Sequence, residues 1–296
     1  MDLMLPDIDF EKYLDDTEEI AQKVNKPTDF FDQAYERIVG SVNMSGDKFV
    51  WQKTHDKFAF QSKQVSIWAG MNASGKSGLM GFCAMFFDTP TLICSFEMPP
   101  ETTLARMIRQ GTAMQNPSRD YAKAVVDHLD GKIWIFNHVG QVQEKPLFGA
   151  IKYAARELGV KHIMIDSMVK VGLVEDYAGQ ARFVDRLTVL AKDEDIHIHL
   201  VVHMRKQANE REVADRMSIK GAGEITDLAD NVFIISRKTI DLDPESNEPS
   251  CFVRVAKNRH GEWEGMMGFW FDDKSQQWLP SQRALPIPLI KNWSRP

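Results

Sequence analysis

The sequence predicts an α/β fold, a mainly parallel twisted sheet with an antiparallel extension towards its C-terminus. Three observations lead there. Five β-rich apolar runs alternate with segments of helical periodicity from residue 64 onward. Each run is nearly continuous in apolar residues, as strands covered on both faces are. After residue 220 the rhythm changes to strands joined by short connections. The 296 residues, 43% hydrophobic and 26% charged, suffice for one large domain of this kind with a small appendage.

Residues 1–50 are polar and acidic and read as an N-terminal arm outside the main core. Within it, Phe30, Phe31, Ala34, Ile38 and Val39 approximate one helical face. This predicts a short amphipathic linker helix over Phe30–Val42, packed on its own domain or on a neighbouring subunit. Residues 51–285 form the main domain. Its strands are expected at "QVSIWAG", "TLICSFEM", "KIWIFNHV", "HIMIDSMV" and "IHIHLVVHM". Helices are expected over 75–87, 101–110, 118–129, 146–158 and 181–193. The extension comprises "NVFIISRK", "CFVRVAKNR" and "MMGFWFDDKSQQWLP", with a hairpin turn at Asp272–Ser275. Residues 286–296 are Pro-rich and read as an irregular tail or docking arm.

Several classes are excluded. No apolar run reaches the roughly 18 residues a membrane span needs. The acidic N-terminus lacks the basic region and apolar core of a signal peptide. Cys83, Cys94 and Cys251 are far apart in apolar stretches, with neither metal spacing nor a full disulfide set. They are expected to be reduced core residues of a cytoplasmic protein. The net charge of −6 leaves no whole-molecule basic field, so any nucleic-acid contact requires a local basic feature.

One such motif carries clear chemistry. Gly70-Met-Asn72-Ala73-Ser74-Gly75-Lys76-Ser77 fits G-x-x-x-x-G-K-[ST] without a gap, after a predicted strand and before a predicted helix. Its glycines let the backbone curl so that N–H groups face phosphate oxygens, and the helix N-terminus adds its dipole. Gly78 follows in the first helical turn. Lys76 would reach the β and γ phosphates of ATP or another NTP, and the Ser77 hydroxyl would ligate Mg²⁺. Asp166 ends a buried strand, where ligands of open α/β sheets bind, and is placed to hold the same Mg²⁺. Glu97 ends another and is the candidate to polarise an attacking water. His203 ends a third, where a His can hydrogen-bond a γ-phosphate and report its loss to the loop that follows.

These segments taken together resemble a known family. "GMNASGKS", "SFEMP", "MIDS", "VVHMRK", "GAGEITDLAD" and "VAKNRHGEWEG" occur in the order, and nearly the spacing, of DnaB-like hexameric replicative DNA helicases, which have a RecA-like core. The resemblance covers about residues 60–280. It is nearest to the helicase half of podovirus primase–helicases, where a His rather than a Gln stands at the position of His203. The resemblance implies a ring-forming, ATP-dependent, phage-encoded motor that translocates on single-stranded DNA and unwinds duplex. It implies that Lys76, Ser77, Glu97, Asp166 and His203 hold the roles above. It also implies that Arg259 is an arginine finger reaching the next subunit's ATP, with Lys257 as its companion. The segment 205–224 would be a central-channel loop gripping single-stranded DNA.

The local charge suits that last role. Arg205, Lys206, Arg211, Arg216 and Lys220 stand against Glu210, Glu212 and Asp215, a basic loop in an acidic protein. Gly221 and Gly223 allow close backbone approach. The sequence departs from the relatives in lacking a primase domain and a large helical N-terminal domain, so priming activity is not expected. A homo-hexameric ring and single-stranded DNA are the expected partners, a separate primase, polymerase or loader a further class, and a membrane is not among them. The alternatives are a RecA-type recombinase or mediator ATPase, and an ATPase that loads another helicase.

Overall fold

The computed structural model describes residues 26–39, 45–172, 176–204, 222–238 and 247–293. A 3₁₀ turn leads into α1 (Phe31–Val39). The main domain then runs β1 (Gln64–Gly70), α2 (Lys76–Ala84), β2 (Thr91–Ser95), α3 (Pro100–Thr112), α4 (Arg119–Leu129), β3 (Ile133–Ile135), α5 (Glu144–Glu157), β4 (His162–Asp166), α6 (Tyr177–Asp193) and β5 (His197–His203). It closes with α7 (Ala222–Leu228), β6 (Asn231–Arg237), β7 (Cys251–Asn258), β8 (Gly265–Asp272) and β9 (Gln277–Leu279).

Helix starts follow local chemistry. Pro100 opens α3, where a missing N–H costs nothing. The Ser118 hydroxyl caps α4 by accepting from Tyr121 N at 3.2 Å. Asp176 caps α6 by accepting from Gly179 N at 2.7 Å.

Among the described residues nine strands form one sheet, in the order β3-β2-β4-β5-β1-β6-β7-β8-β9. Strands β3 to β6 of that order pair in parallel, and β6 to β9 pair antiparallel. The parallel core and antiparallel extension are therefore both present, with the junction displaced. The sequence placed "NVFIISRK" in the extension; β6 instead lies parallel to β1. The cause is α7, a seven-residue helix in a segment read as loop. It returns the chain to the other edge of the sheet, so that the next strand runs parallel.

Side chains alternate across the sheet and fill one core on each face. Val65, Ile67 and Ala69 of β1 pack with Ile151 of α5 and Leu187 of α6. Trp68 faces the other way, towards Leu79 of α2, Met107 of α3, Val125 of α4 and the aromatic segment Phe49–Phe60. The C-terminal strands complete this second core, and Trp51 Nε1 donates to the Trp278 carbonyl at 2.7 Å. Residues 287–293 fold back on the domain. Leu289 N donates to Gly111 O at 2.7 Å, and Trp293 stacks on Tyr121 at 4.5 Å. All three cysteines are buried, and burial pushes the Cys83 thiol up to about 12. On α1, Phe31 and Ile38 are 63% and 79% exposed.

A polar spine crosses the second core near the N-terminal ends of the strands. Trp68 Nε1 donates to His199 Nδ1 at 3.2 Å, so the proton of neutral His199 sits on Nε2 and faces His162 Nδ1 at 3.0 Å. His162 Nε2 then donates to Asp47 at 2.9 Å. His197 lies between Ser66, at 2.8 Å, and the Gln61 carbonyl. Burial, and then the charge of His162, hold His197 down at about 3. Burial, with His197 and His162, holds His199 well below its ordinary 6.5. Both rings are neutral in the folded chain and protonate more readily when unfolded. Their contribution is complete above about pH 6.5 and is lost as pH falls towards 3. Denaturant titrations should show stability falling between about pH 6.5 and about pH 5. His199→Gln, which keeps a donor and an acceptor without a titrating ring, should lessen that fall. Equal slopes in the two proteins would remove His199 as a cause.

Candidate functional site

Strand β1 is buried along its whole length and delivers the chain to Gly70 at the C-terminal edge of the sheet. A Cβ there would strike the Ile235 carbonyl of β6 and lie 2.6 Å from Ser74 Oγ, so only glycine fits. Two left-handed residues, Ala73 at φ 62° and Gly75 at φ 91°, then curl the loop before α2 begins at Lys76. This is the curled backbone and helix N-terminus that an anion requires. Trp278 of β9 braces the turn: a Cβ on Gly75 would come within 3.2 Å of its ring. Asn72 and Ala73 are exposed, and Ser74 is buried. Gly78 faces Arg106 and Gln110 of α3.

Lys76 is 5% exposed. Its ammonium folds back into the loop and donates to the Gly70 and Met71 carbonyls at 2.9 and 2.8 Å. Burial lowers its pKa, and the charges of Asp166 and Glu97 draw it back. A cation so placed, among carbonyls that a phosphate would outbid, is poised to pair with an anion on the loop.

The other strand ends meet it. Asp166 ends β4 beside Ser77, whose hydroxyl hydrogen-bonds its carboxylate. Burial raises the Asp166 pKa; the Ser77 bond opposes this, and the Glu97 charge adds to it. A hydroxyl and a buried carboxylate side by side are hard oxygen donors of the kind Mg²⁺ takes, and a cation between them would relieve the burial of the carboxylate. The two residues therefore fit the ion that the sequence implied.

Glu97 stands two residues beyond β2, and its carboxylate accepts from Ser167 Oγ at 2.7 Å and His203 Nε2 at 3.3 Å. His203 Nε2 also reaches Ser167 Oγ at 3.2 Å. Burial would raise the Glu97 carboxyl, but the bonds from Ser167 and His203, with the charges of His203 and Lys170, hold it below the ordinary value. It is thus a carboxylate at neutral pH, able to accept a proton from or orient a water. Ser167 is the hub of this triad and was missed from sequence; its only signal was its place after Asp166 in "MIDS". His203 Nδ1 is buried and without a partner among the described residues.

Five predicted residues, Lys76, Ser77, Glu97, Asp166 and His203, are therefore brought together. Arg259 and Lys257 are not among them. Arg259 follows β7 at the opposite edge of the sheet, where its guanidinium binds Asp230 at 3.2 Å and the Asp227 carbonyl. Lys257 donates to the Thr226 and Asp227 carbonyls at 2.8 and 2.9 Å, at the C-terminal end of α7. The predicted DNA-contacting residues Arg205, Lys206, Arg211, Arg216, Lys220 and Gly221 lie outside the described residues. Gly223 lies in the first turn of α7 rather than in open loop.

Comparison with known proteins adds a family. The family model described as the DnaB-like helicase C terminal domain matches residues 55–278. Among solved structures, the chain is similar to one described as the ATPase domain of G40P, with TM-score 0.76 and 16% identity over 86% of this chain and 99% of that one. It is also similar to a DnaB-like replicative helicase solved for its interactions with primase, with TM-score 0.72 and 15% identity over 86% of this chain and 67% of that one. At these identities the two structures share the fold.

The triad makes one expectation specific. Ser167→Ala should leave nucleotide binding intact and slow hydrolysis on the order of 10²-fold by misplacing Glu97. Because Ser167 helps to hold the Glu97 pKa down, the acid limb of the pH–rate profile should move to higher pH. An unchanged limb would mean that Ser167 does not act on Glu97.

Proposed function

Because the chain belongs to the DnaB-like helicase C-terminal domain family, and so is an ATP-hydrolysing replicative DNA helicase domain, we propose that its two separated groups of residues are two halves of one site, joined between neighbouring copies. The observation that supports this is where Arg259 stands. Asn258 pairs with Asn231, and Asn231 with Ser66, four residues before Gly70. Arg259 lies one residue further from the loop, level with Asp230, so at roughly 3.3 Å per residue the two are offset by about 16 Å along the strands, at opposite edges of the sheet. Its guanidinium does not serve the loop of its own chain. On an adjacent copy it can leave Asp230 and the Asp227 carbonyl for a γ-phosphate, which a planar fork of donors suits.

In this reading the loop amides and Lys76 hold the phosphates, and Ser77 and Asp166 hold magnesium. Bound magnesium would supply charge neutralisation at the β and γ oxygens. Glu97, fixed by Ser167, orients the attacking water. His203 contacts the γ-phosphate region and is followed after one residue by the basic segment 205–221, so loss of phosphate and a change of grip on single-stranded DNA share one stretch of backbone. The exposed face of α1 is the linker that packs on the next copy, and the assembly is a homo-hexameric ring. A separate primase, polymerase or loader remains a partner class of this proposal. The narrower likeness to podovirus primase–helicases rests on His203. The family match favours a helicase over the recombinase, mediator and loader alternatives.

Lys76→Ala should abolish turnover. Arg259→Ala should abolish hydrolysis while retaining nucleotide binding. Mixing the two inactive proteins should then restore hydrolysis, because some interfaces pair an intact loop with an intact Arg259. Wild-type hydrolysis by Arg259→Ala, or no recovery on mixing subunits shown to co-assemble, would sink the shared site. Strand displacement from a forked duplex tests the motor itself: single-strand-stimulated hydrolysis without displacement would return the recombinase alternative.

A further inference from the structure

The segment Leu285-Pro286-Ile287-Pro288-Leu289 is suited to docking by one side. A residue before proline is held extended, so Leu285 and Ile287 both favour a straight chain. Alternate N–H groups of an extended chain point the same way, and Pro286 and Pro288 remove those that would face outward. The two that remain are both taken by the domain. Ile287 N donates to Gln277 Oε1 at 2.8 Å, and Leu289 N to the Gly111 carbonyl at 2.7 Å. Beyond them, the Tyr121 hydroxyl donates to the Ile290 carbonyl at 3.3 Å, and its ring stacks on Trp293.

These bonds close the end of α3. The last carbonyls of a helix lack partners further along it, and Gln110 and Gly111 stand in the final turn of α3. The Gly111 carbonyl takes Leu289. The Gln110 carbonyl takes Gln277 Nε2, which also donates to the Ile287 carbonyl at 2.9 Å. Both glutamines are 1% exposed. From the same turn, Gln110 Nε2 donates to the Gly78 carbonyl at 3.0 Å and to the Gln276 carbonyl at 2.9 Å. Gly78 follows Ser77 in the first turn of α2, and Trp278, next to Gln277, lies against Gly75. Two buried side-chain amides thus join the segment 286–293 to the phosphate loop by a continuous hydrogen-bonded path.

We infer that segment 286–293 is a strap that positions the phosphate loop, acting through Gln277 and Gln110. The inference rests on the reading of Gly70–Ser77 as the nucleotide loop. With the strap docked, the last turn of α3 is capped, and Gln110 holds the first turn of α2 where Lys76 and Ser77 take the phosphates. With it undocked, the Gly111 carbonyl loses Leu289 and Gln277 loses both of its bonds to Ile287. The last turn of α3 is then free to fray, and Gln110 holds α2 less firmly. Gln277 and Gln110 act through the backbone of the loop and are positioning residues. Linkage is reciprocal, so nucleotide on the loop favours the docked strap.

Hydrogen exchange and equilibrium binding of a fluorescent ADP analogue test this on the full chain. Pro286 and Pro288 carry no N–H, so exchange over residues 286–289 reports Ile287 and Leu289 alone. Saturating magnesium ADP should slow that exchange about fivefold, the low end of coupling between linked sites. The double variant Ile287→Pro, Leu289→Pro removes both donors and keeps an extended chain. It should weaken binding of the analogue by about the same factor. Trp293→Ala, which loosens the far end of the strap, should weaken it by less, and carries the test if the double variant does not fold. Exchange that nucleotide leaves unchanged overturns the inference. So does wild-type affinity in a folded strap variant whose melting temperature alone has dropped, the mark of a merely structural segment. Lys76→Ala separates the two levels. If it loses the analogue while the strap variants bind as wild type does, the strap alone is excluded. If it too binds as wild type does, the loop assignment falls and the inference with it.

Discussion

The candidate site depends on the register of four parallel strands. Gly70 pairs with His203 across β1 and β5, and Ser95 with Asp166 across β2 and β4. A slip of one residue would send Asp166 or His203 to the opposite face and empty the site. Hydrophobic strands covered on both faces discriminate poorly between registers, because either face finds an apolar neighbour. The polar spine supplies the discrimination. His199 joins β5 to Trp68 of β1 and to His162 of β4, and His197 joins β5 to Ser66 of β1. A slipped strand would leave these groups buried and unpaired, at about 1–3 kcal/mol each. Histidines at one end of the strands thus fix the alignment of the functional residues at the other.

At the functional end the electrostatics are deliberately incomplete in the isolated chain. Burial works against the charge of both Lys76 and Asp166, and the carboxylates of Asp166 and Glu97 repel. Such opposed shifts in a cleft are characteristic of sites completed by a ligand. The surroundings hold the site open against this cost. Trp278 braces Gly75 from β9, Gln110 ties α3 to the Gly78 carbonyl at 3.0 Å, and Leu289 and Trp293 lie against α3 and α4. The antiparallel extension is therefore a support for the phosphate loop as well as the scaffold of Arg259.

That scaffold gives Arg259 a second property. Asp230 binds the backbone N–H of Val65 at 2.9 Å and the guanidinium of Arg259, so one carboxylate ties the start of β1 to Arg259 at the edge of the sheet away from the phosphate loop. His260 adds a third contact to it at 3.2 Å. In the isolated chain the guanidinium has an acceptor of its own and is kept in position.

Much of this was legible in the sequence. The loop Gly70–Ser77 was readable because close backbone approach to phosphate permits few residue types. Glu97, Asp166 and His203 were readable because a polar residue ending a buried apolar run has one place to go, the edge of the sheet. The alternation of strand and helix fixed the class of fold, since period and apolar continuity are local properties. Other features were decided only by tertiary structure. The parallel course of β6 depended on α7, too short for its periodicity to register. Ser167 became the hub of the site because strand pairing set it between residues 70 and 36 positions away in the chain. Gln110 and the histidine spine lie on helix and strand faces whose pattern is indistinguishable from ordinary core or surface until partners are placed. Sequence determines which groups are available and which edge they occupy; only the packed sheet decides which of them touch, because those contacts join segments that sequence leaves far apart.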